Sequence, residues 1–199
     1  MRCLLKPKPQ FSHETHPLLQ RRWSPRAFSA RPVDEATLLT LLEAARWAAS
    51  ANNEQPWRFI YGAKTQGERY TKLFDCLNEW NQAWAQSAPA LIMTLVKTHF
   101  EKNGRPNPWA LHDLGLAVGN LTAQASALNL YVHSMAGLSA EEAREMFNLP
   151  PGLDPVTMIA VGYLGDPEQL SDSLKARELA QQQRKPLEDL VYWGTNHDR

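Results

Sequence analysis

The stretch LLEAARWAASANNEQPWRF, residues 41–59, contains the end of a helical pattern, a polar loop and the start of a strand. Upstream of it, Asp34 is a candidate N-cap for a helix with an apolar stripe at helical spacing, formed by Leu38, Leu41, Leu42, Ala45 and Ala49. Downstream, the aromatic and branched residues from Trp57 to Tyr61 predict a short strand. A helix that leads through a loop into a strand favours a fold in which helices pack on a sheet.

The same alternation of helical and strand patterns continues along the rest of the chain. We predict helices from about Thr15 to Arg22 and over Glu68 to Ala85, Trp109 to Asn129 and Ser171 to Gln183, a short helix capped by Ser139, and strands over Ala90 to Val96, Tyr131 to Met135 and Val156 to Leu164. Gly115-x-x-x-Gly119 in the long helix permits close approach by another helix, which suits a core or a subunit interface. Because no internal repeat or linker interrupts the pattern, we expect a single domain over residues 1–199.

Composition argues against several classes of partner. The 199 residues are 43% hydrophobic, and Lys plus Arg balance Asp plus Glu at 21 each. Without a net charge the whole molecule is not drawn to nucleic acid or to an anionic membrane, so any anion binding must be local. The apolar stretch from Leu111 to Leu130 is interrupted by polar residues, which argues against a membrane span.

Cysteine and histidine usage gives no sign of a metal site. The two cysteines, Cys3 and Cys76, support neither a disulfide framework nor a thiolate site, which fits a reducing cytoplasm. The six histidines form no HExxH motif and no close Cys/His pairing, so we expect no metal. The chain also lacks a GxSxG nucleophile elbow, a Walker loop and a full GxGxxG motif.

The segment RRWSPRAF, residues 21–28, is a candidate phosphate-binding cluster. It places three guanidinium groups and the Ser24 hydroxyl within six residues, and both group types suit phosphate oxygens. A solvated basic stretch between a helix and a loop has the same composition. The residues themselves leave both interpretations open.

The polar loop SANNEQPW, residues 50–57, concentrates hydroxyl and amide groups where the helix gives way to the strand. These groups belong to Ser50, Asn52, Asn53 and Gln55. They can satisfy the exposed backbone of the turn. They are equally suited to the polar edge of a heteroaromatic ring, which needs both donors and acceptors.

In order and spacing, these two segments resemble the opening motifs of the nitroreductase family, whose members bind FMN as homodimers. Further matches are Asn81 before the Ala-Pro that opens a strand, Met135-Ala136-Gly137 after a strand, and Arg184-Lys185-Pro186-Leu187 near the C-terminus. The resemblance covers residues 18–191. It implies an α+β fold of α/β layers, with a mostly antiparallel central sheet flanked by helices and a long central helix near the dimer interface.

The resemblance also implies cofactor-binding roles for individual residues. The FMN phosphate and ribityl chain are assigned to Arg22, Ser24 and Arg26, with Trp23 contributing its backbone and Arg184 approaching the same phosphate. Arg21 is then a solvated neighbour. The loop that reaches the flavin, partly from the second subunit, is matched by Ser50, Asn53 and Gln55. Asn81 matches a ring or ribityl hydrogen-bonding group, and the backbone N–H groups near flavin N5 are matched by Ala136 and Gly137.

The activity that the resemblance implies is FMN-dependent reduction of nitroaromatics, quinones or similar small acceptors, driven by NADH or NADPH in a ping-pong cycle. FMN carries the chemistry at N5, so no side chain is assigned a catalytic role. Ala136 stands where some members have an acidic residue, so this position offers no carboxylate. Three alternatives stay open: a specialised dehalogenating, flavin-fragmenting or dehydrogenating member, an FMN store or sensor without turnover, and a cofactor-free interaction domain.

Overall fold

The computed structural model describes residues 6–7 and 9–192, and at its centre lies a four-stranded antiparallel sheet. The strands are β1 (Trp57–Ala63), β2 (Ala90–Lys97), β3 (Tyr131–Met135) and β4 (Leu153–Gly162). Their order is β1-β2-β4-β3, so β1 and β3 form the two edges. The expected antiparallel sheet is therefore confirmed. The N-terminal Cys3, one of the two cysteines, lies outside the described residues.

The strand β4 begins earlier than the sequence pattern predicts. It starts at Leu153, opposite Lys97, rather than at Val156. Pro155 lies opposite Leu95, next to a register shift between Thr94 and Leu95. A proline has no N–H to donate to the ladder and usually limits a strand, which is why the sequence pattern placed the start after it.

Seven α-helices accompany this sheet within the described part of the chain. They are α1 (Pro17–Arg21), α2 (Glu35–Arg46), α3 (Glu68–Asp75), α4 (Glu79–Ala85), α5 (Ala110–Ala127), α6 (Ala140–Met146) and α7 (Asp172–Leu179). Both predicted N-caps are confirmed. Asp34 Oδ1 accepts a hydrogen bond from the N–H of Thr37 at 2.6 Å, and Ser139 Oγ accepts one from Glu142 at 3.2 Å.

The prediction of one continuous helix over Glu68 to Ala85 was wrong. The first helix ends at Asp75 and a second begins at Glu79. Asn78 caps the start of the second helix, where its side-chain oxygen accepts a hydrogen bond from the N–H of Asn81 at 3.0 Å. Between the two helices, the N–H of Asn78 donates to the carbonyl of Gly137 at 3.1 Å. A hydrogen bond between segments distant in sequence therefore breaks the helix, although the apolar residues keep their helical spacing across the break.

Two apolar cores cover the opposite faces of the sheet. The first packs α2 and α5 against one face and includes Leu38, Leu41, Trp57, Ile92, Leu114, Leu121 and Ile159. The second lies under α3, α4, α6 and α7 and includes Phe28, Leu73, Trp84, Leu91, Met93, Met158 and Leu174. Because β2 is covered on both faces, its sequence is almost continuously apolar. Among the described helices, none is long and apolar enough to cross a bilayer.

Candidate functional site

The guanidinium groups of Arg22 and Arg184 interact through their charges, and that of Arg22 lies next to a hydroxyl. Arg22 Nη1 donates to Ser24 Oγ at 3.4 Å. Burial first, and then the charge of Arg184, lower the pKa of the half-buried Arg22 guanidinium. The structure thus brings together three predicted site residues from the two ends of the chain. Two cations whose charges interact in this way favour an anion that contacts both of them.

The backbone that follows Ser24 is fixed by pairing with the end of β4. Gly165 donates its N–H to the Ala27 carbonyl at 2.9 Å, and Ser29 donates to the carbonyl of Tyr163 at 2.9 Å. A Cβ atom at Gly165 would lie 2.5 Å from the carbonyl oxygen of Phe28, so this close approach requires glycine. We call residues 22–28 the cradle segment.

A buried carboxylate of α7 contacts the same backbone. Glu178, 1% exposed, accepts from the N–H of Arg26 with both carboxylate oxygens, at 2.9 and 3.0 Å, and from the N–H of Ala27 at 3.1 Å. Burial raises the pKa of Glu178, while the two backbone donors and then the charges of Arg26 and Lys6 act in the opposite direction. The sequence pattern did not reveal Glu178, because a glutamate in a polar helical pattern carries no sign of burial.

A histidine of β3 contacts the cradle segment from another side. His133 Nδ1 lies 2.9 Å from the carbonyl oxygen of Pro25, and its ring packs on Trp84 with 4.5 Å between ring centroids. Burial lowers the pKa of His133 to about 4. The imidazole is therefore neutral near pH 7 and donates from Nδ1 to the Pro25 carbonyl. This residue was also missed, because its partner is a backbone carbonyl distant in sequence.

The ring of Trp23 contacts an aromatic side chain and a lysine. It meets Tyr131 edge-on with 6.1 Å between centroids, and Lys6 Nζ lies 4.5 Å from its centroid. Arg21, expected to be solvated, is exposed but hydrogen-bonded: it donates to the carbonyl of Ser126 at 3.0 Å and to Asn129 Oδ1 at 3.3 Å. Arg21 thus ties α1 to the end of α5 rather than joining the cradle segment.

Asn81 and Gly137 lie in direct contact beyond the end of β3. Asn81 Nδ2 donates to the Gly137 carbonyl at 3.0 Å, and the N–H of Asn78 reaches the same oxygen at 3.1 Å. A Cβ at Gly137 would lie 2.6 Å from Asn81 Nδ2 and closer still to the Asn78 amide, so a larger residue here would displace these two side chains. Ala136 is exposed beside it, and its carbonyl accepts from Leu138 in a tight turn.

The polar loop holds an unusual backbone conformation. Asn52, Asn53 and Gln55 all have positive φ angles, of 54°, 56° and 51°. Ser50 Oγ accepts from the N–H of Gln55 at 3.0 Å, so this hydroxyl does satisfy the turn, and Gln55 Nε2 donates to the Asn53 carbonyl at 3.1 Å. Left-handed conformations of residues other than glycine cost free energy and persist only where the surroundings impose them.

Asp113 of α5 provides one of these constraints. Its side chain is buried, and Oδ2 accepts from the N–H of Ala51 at 3.0 Å. The exposed neighbour His112 contacts the other carboxylate oxygen through Nδ1 at 3.1 Å. Asp113 therefore anchors the start of the polar loop to the first turn of α5.

The predicted residues fall into two groups at opposite edges of the sheet. The cradle segment, Asn81 and Gly137 lie on the β3 side, whereas the polar loop leads into β1. No hydrogen bond or ion pair joins the two groups within residues 6–7 and 9–192. In the same part of the chain, no cluster of three His, Cys, Asp or Glu side chains is arranged to hold a metal ion.

Comparison with known proteins gives consistent matches. The sequence model of the nitroreductase family matches residues 19–75 and 62–163. A crystal structure described as an oxidoreductase containing FMN is 35% identical, with a TM-score of 0.89 over 94% of this chain and 95% of that chain. The major NAD(P)H-flavin oxidoreductase of Aliivibrio fischeri is 23% identical over 220 residues, which cover 89% of this chain and 98% of that protein. An uncharacterized 15.4 kDa protein of Mycolicibacterium smegmatis is 32% identical over 133 residues, 67% of this chain and 88% of that one.

Proposed function

This chain belongs to the nitroreductase family, and from that premise we propose that it is an FMN-dependent oxidoreductase. It takes electrons from NADH or NADPH and passes them to a small oxidised acceptor, such as a nitroaromatic or a quinone. The observation that carries the proposal is the cluster of Arg22, Ser24 and Arg184, in which one guanidinium lowers the pKa of the other. The FMN-containing oxidoreductase and the NAD(P)H-flavin oxidoreductase to which this chain is similar support the same cofactor and donors.

The donor groups on the β3 side fit the chemistry of FMN. A phosphate dianion relieves the repulsion between Arg22 and Arg184, and the Ser24 hydroxyl adds a further hydrogen bond. Arg26 follows on the same segment and would contact the phosphate and the adjoining ribityl chain. Asn81 would serve the ring or the ribityl chain, and the backbone N–H groups of Ala136 and Gly137 would face flavin N5, while the lack of a side chain at Gly137 leaves room for the Asn78 and Asn81 amides.

The protein contributes orientation and electrostatics rather than a reacting side chain. When bound, FMN supplies the redox chemistry, accepting a hydride from the nicotinamide and delivering electrons to the acceptor. Asn81 and the Gly137 backbone are fixed by their mutual hydrogen bond, so their dipoles do not need to reorganise as charge develops. The role of the chain is therefore to bind, to orient and to exclude water.

We further propose a homodimer in which each FMN contacts both subunits. The outer face of α5 supports this, since it exposes Leu111 and Leu116, and since Cβ atoms at Gly115 and Gly119 would meet nothing within 4 Å. Such a surface allows a second helix to approach closely. The polar loop, with Ser50, Asn53 and Gln55, then reaches the flavin held by the partner, which accounts for its distance from the cradle segment.

Two further expectations belong to the same proposal. One domain over residues 1–199 remains a prediction from the uninterrupted sequence pattern. A cytoplasmic location remains a prediction from the cysteine content, and Cys76 is a buried free thiol.

Anaerobic mixing with reduced nicotinamides tests the proposed activity. The purified protein is reconstituted with FMN, freed of unbound flavin and mixed with NADH or NADPH under argon. We expect the absorbance of the bound flavin to bleach with at least one donor and to return when a quinone or nitroaromatic is added. Retention of FMN without bleaching by either donor would instead indicate a flavin store or sensor. Failure to retain FMN would indicate an interaction domain.

A further inference from the structure

Glu178 is a buried carboxylate whose hydrogen bonds all go to the backbone of one functional segment. Its Oε2 accepts from the N–H of Arg26 at 2.9 Å, and its Oε1 accepts from Arg26 at 3.0 Å and from Ala27 at 3.1 Å. Burying a carboxylate costs free energy unless hydrogen bonds compensate for the lost water. The hydrogen bonds from the backbone of Arg26 and Ala27 therefore explain how this carboxylate can be buried.

Neither the packing of α7 nor an ion pair explains this carboxylate. Leu174, on the same helix and 6% exposed, belongs to the second apolar core and anchors α7 there. The charges of Arg26 and Lys6 both act on this carboxylate, but among the described residues neither side chain forms a salt bridge with it, and Lys6 Nζ donates instead to the backbone carbonyl of Glu178, at 2.7 Å. Within the described residues, no ion pair involves the carboxylate, so its direct partners are the two backbone N–H groups.

Three side chains from different parts of the fold form hydrogen bonds with the backbone of the cradle segment at the same place. Glu178 accepts hydrogen bonds from the N–H groups of Arg26 and Ala27. His133 Nδ1 donates to the carbonyl oxygen of Pro25 at 2.9 Å. Ser87 Oγ lies 3.3 Å from the Arg26 carbonyl oxygen. With both donors and acceptors engaged, the peptide units from Pro25 to Ala27 have little freedom to rotate. The side chains of Ser24 and Arg26 consequently leave the backbone at fixed positions.

We propose that Glu178 is a positioning residue for phosphate recognition, an inference that rests on the proposed binding of FMN. Its carboxylate fixes the backbone at Arg26 and Ala27, and thereby sets where the hydroxyl of Ser24 and the guanidinium of Arg26 lie. Glu178 does not touch the cofactor in this role. Its loss affects the part of the cofactor that the cradle segment recognises, which is the phosphate.

The experiment compares FMN with riboflavin, which lacks the phosphate. Dissociation constants of both flavins are measured by fluorescence titration for wild type, Glu178→Ala, Glu178→Gln and Leu174→Ala. The loss of a charged acceptor to buried donors is expected to lower the preference for FMN over riboflavin about tenfold in Glu178→Ala. Glu178→Gln keeps one oxygen acceptor and should show a smaller fall. Leu174→Ala is the matched control, since it loosens α7 and lowers the melting temperature but should keep the preference.

Two results would overturn the proposal: an unchanged preference in both Glu178 variants, or an equal fall in Leu174→Ala, which would mean that stability alone is responsible. If Glu178→Ala does not fold, Glu178→Gln decides.

Amide hydrogen exchange in the FMN-free protein gives a second readout. Exchange at Arg26 and Ala27 should be faster in the Glu178 variants than in wild type or Leu174→Ala. Unchanged exchange would also overturn the proposal. If wild type binds neither flavin, the proposed function fails, and the exchange result still decides whether Glu178 fixes the segment.

Discussion

Arg22 and Arg184 show how single residues prepare the site for an anion. Each carries a positive charge, and burial and the charge of Arg184 both disfavour the ionised form of Arg22. A phosphate placed between such groups gains charge-assisted hydrogen bonds and removes a repulsion. If the proposed assignment is right, the FMN-free protein holds a repulsion between Arg22 and Arg184 that binding of the FMN phosphate would relieve.

Replacing Arg22 or Arg184 with Ala should weaken FMN binding by roughly 1.5 to 3 kcal/mol, the usual value of hydrogen bonds to charged groups. The free energy of unfolding of the FMN-free variants should not fall along with the affinity for FMN, because each substitution removes the repulsion between Arg22 and Arg184. Arg21→Ala is the control, since Arg21 binds Ser126 and Asn129 instead of joining the cluster. Isothermal titration with FMN measures the effect, and equal affinities for Arg184→Ala and Arg21→Ala would contradict the assignment.

The pH dependence of stability should report His133. Its pKa is about 4 in the folded protein, against 6.5 for the free side chain, so the unfolded chain binds the proton more tightly. The contribution of His133 to the free energy of unfolding is therefore fully present above pH 6.5 and is lost as the pH falls towards 4. Between pH 7 and 5 the loss amounts to about 2 kcal/mol.

Urea unfolding at pH 7 and 5 measures that loss. His133→Gln should show a smaller decrease in the free energy of unfolding than wild type. His112→Gln, which changes an exposed side chain, should keep the wild-type decrease. The assignment to His133 would be contradicted if both variants gave the same decrease.

Residue type explains which site residues were predictable. Arg22, Ser24 and Arg184 were predicted because guanidinium and hydroxyl groups in a known motif signal phosphate binding. Glu178, His133 and Asp113 were not, because each holds a backbone group far away in the chain. Such a contact imposes no pattern on neighbouring residues, so only the fold makes it visible.

At the scale of elements, the polar loop depends on its anchor in α5. Asp113→Ala removes the acceptor for the N–H of Ala51 and should lower the free energy of unfolding by about 1 to 3 kcal/mol, the cost of an unsatisfied buried donor. His112→Ala removes the partner of the other oxygen and, because that partner is exposed, should cost much less. Urea titration of the two variants gives the comparison. A similar loss in both would mean that the anchoring bond contributes little.

The elements themselves were largely predictable from periodicity, and the exceptions have local causes. Tyr131–Met135 and the long helix were predicted to within two residues, because apolar spacing and burial agree there. The break between α3 and α4 was not, because Asn78 pairs with Gly137 across the fold while the apolar spacing continues. The antiparallel arrangement came from the family resemblance, since spacing along a strand does not fix its neighbours.

At the scale of the whole molecule, the two groups of predicted residues are separated by the width of the sheet. Three interstrand spacings of about 4.8 Å place β1 and β3 about 14 Å apart. A cofactor on the β3 side is thus distant from the polar loop of its own chain. In the proposed dimer, a second chain docked through the outer face of α5 would offer its own polar loop to complete the site.

The proposed dimer predicts that FMN binding is linked to dimerisation. Leu116→Glu puts a charge on the outer face of α5, where Leu116 is 42% exposed, and burying that charge in an interface is costly. We expect wild type to sediment at twice the 22.5 kDa chain mass, and Leu116→Glu to sediment as a monomer with FMN affinity reduced more than about tenfold. Leu19→Glu, at a 56% exposed position on α1, is the control and should remain dimeric. A Leu116→Glu monomer that binds FMN as tightly as wild type would show that one chain suffices, and the polar loop would then need a role other than flavin binding.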